Sequence, residues 1–327
     1  MSKKDDFIAA LQRREPPGRT PLWELEFHIW DAATGRRLVL GEEFAHLPGW
    51  EQARALHANA EIFVAAAEAL HFAAITLPAM FWEIAPGYPA YYWLPEDARY
   101  HQAAAIRALQ PDLLLVGNCS AALGIPMGAD YVPFAYQLFD APDEVDALAA
   151  QRLEEGLGMA RRFAEVGVEI GLSTTDLADN HGTFMRPAQL ERFVWPYFRC
   201  WVAELKRLGM YSILHSDGNL LQVLETIAGS GVDALQAIDP TAGMDLLETK
   251  RQVGNRLCLC GNIDCALFLT GTPQKVYQAT ADLLEAAVPG GGFILGASNA
   301  VQVETPLENY LAMIRAWEEK PSGFRKL

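Results

Sequence analysis

Residues 211–261, YSILHSDGNLLQVLETIAGSGVDALQAIDPTAGMDLLETKRQVGNRLCLCG, decide the fold. Three short apolar runs, Tyr211–Ser216, Ala234–Ile238 and Leu257–Gly261, are separated by stretches of helical spacing at Asn219–Ser230 and Met244–Val253. Each run is too short for a helix and apolar throughout, so it reads as a strand covered on both faces. Each intervening stretch is long enough to carry a crossover between parallel strands. Downstream the rhythm continues with helix Pro273–Ala287, strand Gly292–Ala297 and helix Pro306–Lys320. Upstream it runs back through helix Pro187–Leu208, strand Glu169–Leu177, helix Pro142–Val166, strand Leu113–Ser120, strand Phe72–Pro78 and helix Trp50–Leu70. A first strand is expected at Arg19–His28, preceded by a short amphipathic helix at Asp5–Arg14. Eight strands alternating with helices predict an α/β protein, a single (β/α)8 TIM barrel with an N-terminal helical extension, in one domain over 1–327. An open doubly wound sheet is the alternative, but its Gly-rich phosphate turn is missing, since Gly290–Gly292 precedes a strand.

The 327 residues carry 26 Lys and Arg against 41 Asp and Glu, a net charge of −15. No basic stripe is available to displace counterions from nucleic acid, and the acidic balance opposes anionic membrane surfaces. No apolar run has the length of a membrane span, and the charged N-terminus lacks the apolar core of a signal peptide. Five cysteines without framework spacing point to reduced thiols and a cytoplasmic location.

In a barrel of this class the chemistry sits at the C-terminal ends of the strands. The polar residues expected there are Glu24, Glu26 and His28 from the first strand, Thr76 from the second, and Asn118 and Ser120 from the third. Asp176, Asp179, Asn180 and His181 follow from the fourth, His215, Ser216, Asp217 and Asn219 from the fifth, Asp239 from the sixth, Cys260, Asn262 and Asp264 from the seventh, and Ser298 and Asn299 from the eighth. This set is rich in carboxylates and amides and almost free of Lys and Arg, which suits a metal, a cation or proton donation rather than a polyanionic substrate. Crowded carboxylates raise one another's proton affinity, so one of them can act as a general acid. His215 and Asp217 alternate and share a face; as metal ligands they need a further donor, for which Cys260, Glu24 and Glu26 are available. Equally, Asp217 can cap a helix starting near Asn219, with His215 in a structural hydrogen bond. Asp176 and Asp179 can be simple turn formers. Two aromatic stretches, one containing Phe81, Trp82, Tyr88, Tyr91, Tyr92 and Trp93 and one containing Tyr131, Phe134 and Tyr136, form either a lid over a planar ligand or a packing or dimer surface. No GxSxG elbow, P-loop or HExxH is present, which removes serine hydrolase, nucleotidase and metalloprotease readings.

Residues 214–264, LHSDGNLLQVLETIAGSGVDALQAIDPTAGMDLLETKRQVGNRLCLCGNID, resemble the uroporphyrinogen decarboxylase superfamily. Residues 174–198, TTDLADNHGTFMRPAQLERFVWPYF, and 271–314, GTPQKVYQATADLLEAAVPGGGFILGASNAVQVETPLENYLAMI, fit the same pattern. The resemblance implies a (β/α)8 barrel. True decarboxylases of this family carry an Arg-rich RQAGRY-type segment after strand one, where this chain has PLWELEFHIW. The family's aspartate at the end of strand two falls near Leu77-Pro78, and its C-terminal histidine near Asn299. The thiol-methylating members look for His-x-Cys after strand five and a second Cys after strand eight; here those places read His215-x-Asp217 and Ser298-Asn299. What remains is similar to the demethylating branch, which moves a methyl group from a methoxylated, typically aromatic, or methylated donor to a corrinoid. On that reading the strand-end residues expected to be catalytic are His215, Asp217, Asp176 and Glu26. Substrate contacts are expected from Trp23, Glu24, His28, Asn118, Asp179, Asn180, Trp82, Tyr136 and Asn299. A zinc site would draw on His215, Cys260, Asp217 and Glu26. The implied cofactor is cobalamin carried by a separate corrinoid-binding protein, since this chain has no Asp-x-His-x-x-Gly segment. A homodimer is the expected further association.

Overall fold

The computed structural model describes residues 2–79, 92–126 and 128–320. Seven strands form one parallel sheet in chain order: β1 (Ala74–Thr76), β2 (Leu114–Asn118), β3 (Ile170–Thr174), β4 (Tyr211–Ser216), β5 (Ala234–Ala237), β6 (Cys258–Ile263) and β7 (Phe293–Ala297). The expected strand at Arg19–His28 does not form a regular ladder, yet it stands between the two sheet edges. Leu22 bridges in parallel to Phe72 on one side and to Leu295 on the other. The Ala73 N–H donates to Leu22 O (2.9 Å), Trp23 N–H to Leu295 O (3.1 Å) and Leu295 N–H to Pro21 O (2.9 Å). Higher up, His28 N–H donates to Val301 O and Val301 N–H to Glu26 O. The result is a curled, TIM-barrel-like α/β fold. Two residues explain the irregular stave: Pro21 has no N–H for a ladder, and the Glu24 carboxylate accepts the Ala297 N–H at 2.9 Å in place of a main-chain carbonyl.

Alternation along each strand divides the core in two. Val116, Leu172, Ile213, Ala234, Cys258, Cys260 and Ile294 fill the barrel interior, whereas Leu115, Leu214, Leu235, Leu259 and Leu295 meet the surrounding helices. Helix α1 (Lys3–Leu11) lies across the start of the strands, and its Phe7, Ala10 and Leu11 join the interior cluster. Its capping box, in which Ser2 and Asp5 exchange hydrogen bonds, holds the first turn. Where covering helices press closest the sheet carries glycine: a Cβ on Gly171 would lie 2.5 Å from Leu205 Cδ1 of helix Trp195–Arg207.

Helix Pro273–Ala287 and strand Tyr211–Ser216 fall where the spacing predicts them. The expected helix Pro187–Leu208 is two helices, Pro187–Phe193 and Trp195–Arg207, because Pro196 removes a donor and disturbs the residues before it. The helix expected from Asn219 begins only at Leu224; Gly218 has φ +87°, and Asn219 Oδ1 accepts the Leu221 N–H in a local turn instead. Helix Glu96–Leu109, which the sequence reading leaves unassigned, makes the crossover from β1 to β2. Among the described residues no helix is long and apolar enough to cross a membrane.

Candidate functional site

The pleat of β4 points Ile213 into the barrel and therefore His215 into its upper end, where the side chain is buried. Asp217 follows two residues on, just past the strand. The neighbouring strand β3 pairs Thr174 with His215, and Asp176 stands two residues beyond that register. These three side chains converge: His215 Nε2 lies 3.8 Å from Asp176 Oδ1 and 3.9 Å from Asp217 Oδ2. Asp176 and Asp217 are part-exposed at the mouth, with side chains 41% and 32% accessible, so a small molecule can reach both.

The cluster is held from behind. Asp176 Oδ1 accepts the Asp217 backbone N–H at 2.9 Å, tying the ends of β3 and β4. Asn299 Nδ2 donates to Asp217 Oδ2 at 2.5 Å, while its own Oδ1 accepts the Ala300 N–H. His215 Nδ1 faces Gln236 Oε1 at 2.5 Å. Burial pushes the Asp217 carboxyl up to about 6; the His215 charge opposes that rise, and the negative charges of Asp176 and Asp239 add to it. Among the described residues, no Lys or Arg forms an ion pair with Asp176 or Asp217. One imidazole nitrogen and two carboxylates, all with ligand atoms within 4.8 Å of one another, are a donor set that suits a divalent cation such as zinc. The backbone beside them is strained: Ala237 and Ile238, at the end of β5, have φ of 95° and 49°. Such conformations persist only where surrounding contacts over-determine them.

Several residues expected at the mouth have other surroundings. Cys260 is in the interior cluster, fully buried, with its thiol pushed well up by burial beside Cys258. It shares a register row with Gln236 and His215 but sits two strands from His215, on the order of 10 Å along the sheet. It is therefore not a member of the cluster. Glu26 is not a member either: it is fully buried and paired with His28 Nε2 at 2.8 Å, and the His28 ring stands edge-on to Tyr92. Glu24 turns into the layer between the closing segment and helix Leu307–Glu319, where it accepts from Tyr310 Oη (2.8 Å) and Ala297 N–H. Burial raises its carboxyl to about 8. Trp23 lies in the barrel interior against Phe7, its indole N–H donating to Thr76 Oγ1.

Asp179 and Asn180 form the exposed tip of a small hairpin, Ala178–Asp179 with Gly182–Thr183, and Asp179 Oδ1 accepts the His181 and Gly182 N–H groups as a turn former. Asn118 caps a polar patch, donating to Thr174 Oγ1 and accepting from Ser120. Trp82, with Phe81, Tyr88 and Tyr91, lies outside the described residues. Tyr136 is not on a loop but on helix Tyr131–Asp140, where it is 67% exposed. The residue that sequence reading misses is Gln236. Its signal is an amide inside the apolar run ALQAI, in the same row as His215 on the adjacent strand.

Residues 102–320 match the family model for Uroporphyrinogen decarboxylase (URO-D). Among curated relatives, uroporphyrinogen decarboxylase of Coxiella burnetii is 28% identical over 182 residues, 55% of this chain and 48% of its own. That of Pseudoalteromonas translucida is 31% identical over 170 residues, 50% of this chain and 46% of its own. The chain thus spans about half the length of the curated relatives it matches. A methyltransferase from Methanosarcina mazei has a similar fold, with a TM-score of 0.73 and 17% identity over 98% of this chain and 99% of that one.

Proposed function

The chain belongs to the uroporphyrinogen decarboxylase family, and we propose that within it the protein is a methyltransferase. It moves a methyl group from a small methoxylated, aromatic donor, or another methylated donor, to the cobalt of a corrinoid carried by a separate protein. The observation that carries this reading is the Asp176–His215–Asp217 cluster, two carboxylates and an imidazole with no cationic side chain paired to the acids among the described residues. The methyltransferase fold of the Methanosarcina mazei neighbour supports it.

The difficulty of such a transfer lies in the leaving group. As the methyl carbon passes to the nucleophile, its bond to oxygen breaks and the electron pair stays on oxygen, which then needs a positive partner. Asp176, His215 and Asp217 favour a positive occupant among them, a proton or a divalent cation. Asp217, with its carboxyl raised to about 6, donates a proton to the departing oxygen and is left as a carboxylate held by Asn299. Asp176 fixes the Asp217 backbone, and His215 supplies the nitrogen face of the site. Zinc would be held by the same three side chains, and when bound it supplies Lewis-acid polarisation of that oxygen.

The test is methyl transfer with a purified corrinoid protein and a panel of methoxyarenes. Conversion of cob(I)alamin to its methylated form by one of these donors is expected, and no methylation with any donor would sink the reading. The second reading is decarboxylation of a small non-porphyrin acid, favoured by the names of the curated relatives. It requires a cation for the substrate carboxylate, and release of carbon dioxide from small acids would establish it.

A further inference from the structure

Gln236 touches the Nδ1 side of His215, and its orientation is set independently of the imidazole. Its Nε2 donates to two main-chain carbonyls, Ala297 O and Ser298 O, each at 3.3 Å. A carbonyl only accepts, so the amide nitrogen belongs on that side and Oε1 on the other. Oε1 meets His215 Nδ1 at 2.5 Å and can only accept there. Gln236 is buried, with 1% of its surface accessible. The strained pair Ala237 and Ile238 follows at once, with Ile238 O pinned by Asn262 Nδ2 at 2.8 Å, so the amide is anchored along its backbone as well.

We propose that Gln236 is a positioning residue that keeps a proton on Nδ1 of His215, leaving Nε2 as the only ring atom that exchanges its proton or binds a cation. The carboxylates of Asp176 and Asp217 pull the other way: a neutral imidazole facing them alone would place its proton on Nε2 and donate it. Gln236 reverses that choice and turns a lone pair toward the two acids. This deepens the methyl-transfer reading and rests on it for its purpose, but the tautomer itself is a property of the resting protein.

The experiment is nitrogen-15 spectroscopy of the metal-free full-length protein with labelled histidines, His215 being assigned by its loss in His215→Ala. With the imidazole neutral, the Nδ1 resonance is expected at the protonated position and Nε2 at the unprotonated one. Gln236→Met removes the acceptor at nearly constant volume, and the two positions are then expected to exchange. Gln236→Glu keeps an acceptor and is expected to retain the wild-type pattern. A wild-type spectrum with the proton on Nε2 overturns the proposal, whether or not either variant folds. So does a folded Gln236→Met protein with an unchanged pattern. Failure of methyl transfer would leave these spectra as they are, so the two readings fail separately.

Discussion

The closing segment and the barrel mouth both place carboxylates beside histidine, in opposite economies of charge. In the closing segment Glu26 has His28 at 2.8 Å, and Glu24 has Tyr310 and the Ala297 N–H. Each acid is buried with its own partners. At the mouth, Asp176 and Asp217 share a single imidazole at 3.8 and 3.9 Å, and both reach solvent. The first arrangement satisfies its groups inside the protein and contributes to assembly. The second leaves a surplus of negative charge that only an incoming proton, cation or ligand relieves. Burial alone does not separate them; the ratio of acids to partners does.

The contrast is broken most severely at the mouth. His215→Ala is expected to lower methyl transfer by about 100-fold or more, because it removes the nitrogen face of an acid–base cluster whose groups contribute on that scale, and to cost about 1–3 kcal/mol of stability through the Gln236 oxygen it leaves unpaired. Equal activity of this variant would remove the cluster from the mechanism. In the closing segment the effect belongs to stability instead. Glu26→Ala leaves His28 in the core without its acid, and a loss of about 3 kcal/mol or more is expected in urea unfolding, the usual consequence of breaking a buried pair.

Glu24 sharpens the same side. The fold keeps its carboxyl protonated up to about pH 8, whereas the unfolded chain releases the proton near 4.5. The folded state holds the extra proton between those values, so stability falls as pH rises through that window. Glu24→Gln keeps the Ala297 N–H bond through its amide oxygen, turns the Tyr310 contact round so that the amide donates to the hydroxyl, and removes the ionisation; it is expected to melt higher than wild type at pH 9 and nearly alike at pH 4.5. A parallel pair of curves would refute this. At the mouth, zinc binding measured by competition is expected to weaken as pH falls below about 6, where Asp217 takes up its proton. The smallest effect is a null one: Cys260→Ala is expected to leave zinc affinity unchanged, since the thiol lies with the interior side chains.

The regular part of the barrel is legible in the chain because each strand from β2 onward is a continuous apolar run bounded by turn residues, such as LLLVGNCS before Ala121. The closing segment is legible as a place but not as a shape. Pro21 and the Glu24 carboxylate replace ladder contacts, and no periodicity records a side chain standing in for a carbonyl. At the mouth, His215-x-Asp217 is read correctly as one face, since alternation dictates it. Which acids join is a matter of strand neighbours: Asp176 belongs to the adjacent strand β3, while Cys260 is two strands over and Glu26 is already taken by His28. Gln236 escapes notice because one amide in an apolar run looks like a tolerated exception until its two carbonyl partners are seen.

Helix α1, laid across the foot of the barrel with Phe7, Ala10 and Leu11 among the interior side chains, makes the vessel blind at one end. Whatever the site binds therefore enters by one doorway. On the proposed methyl-transfer reading, a donor has to be seated before a carrier protein covers that doorway, and the demethylated product has to wait until the carrier departs. That reading then predicts ordered steady-state kinetics, with the small molecule first on and last off.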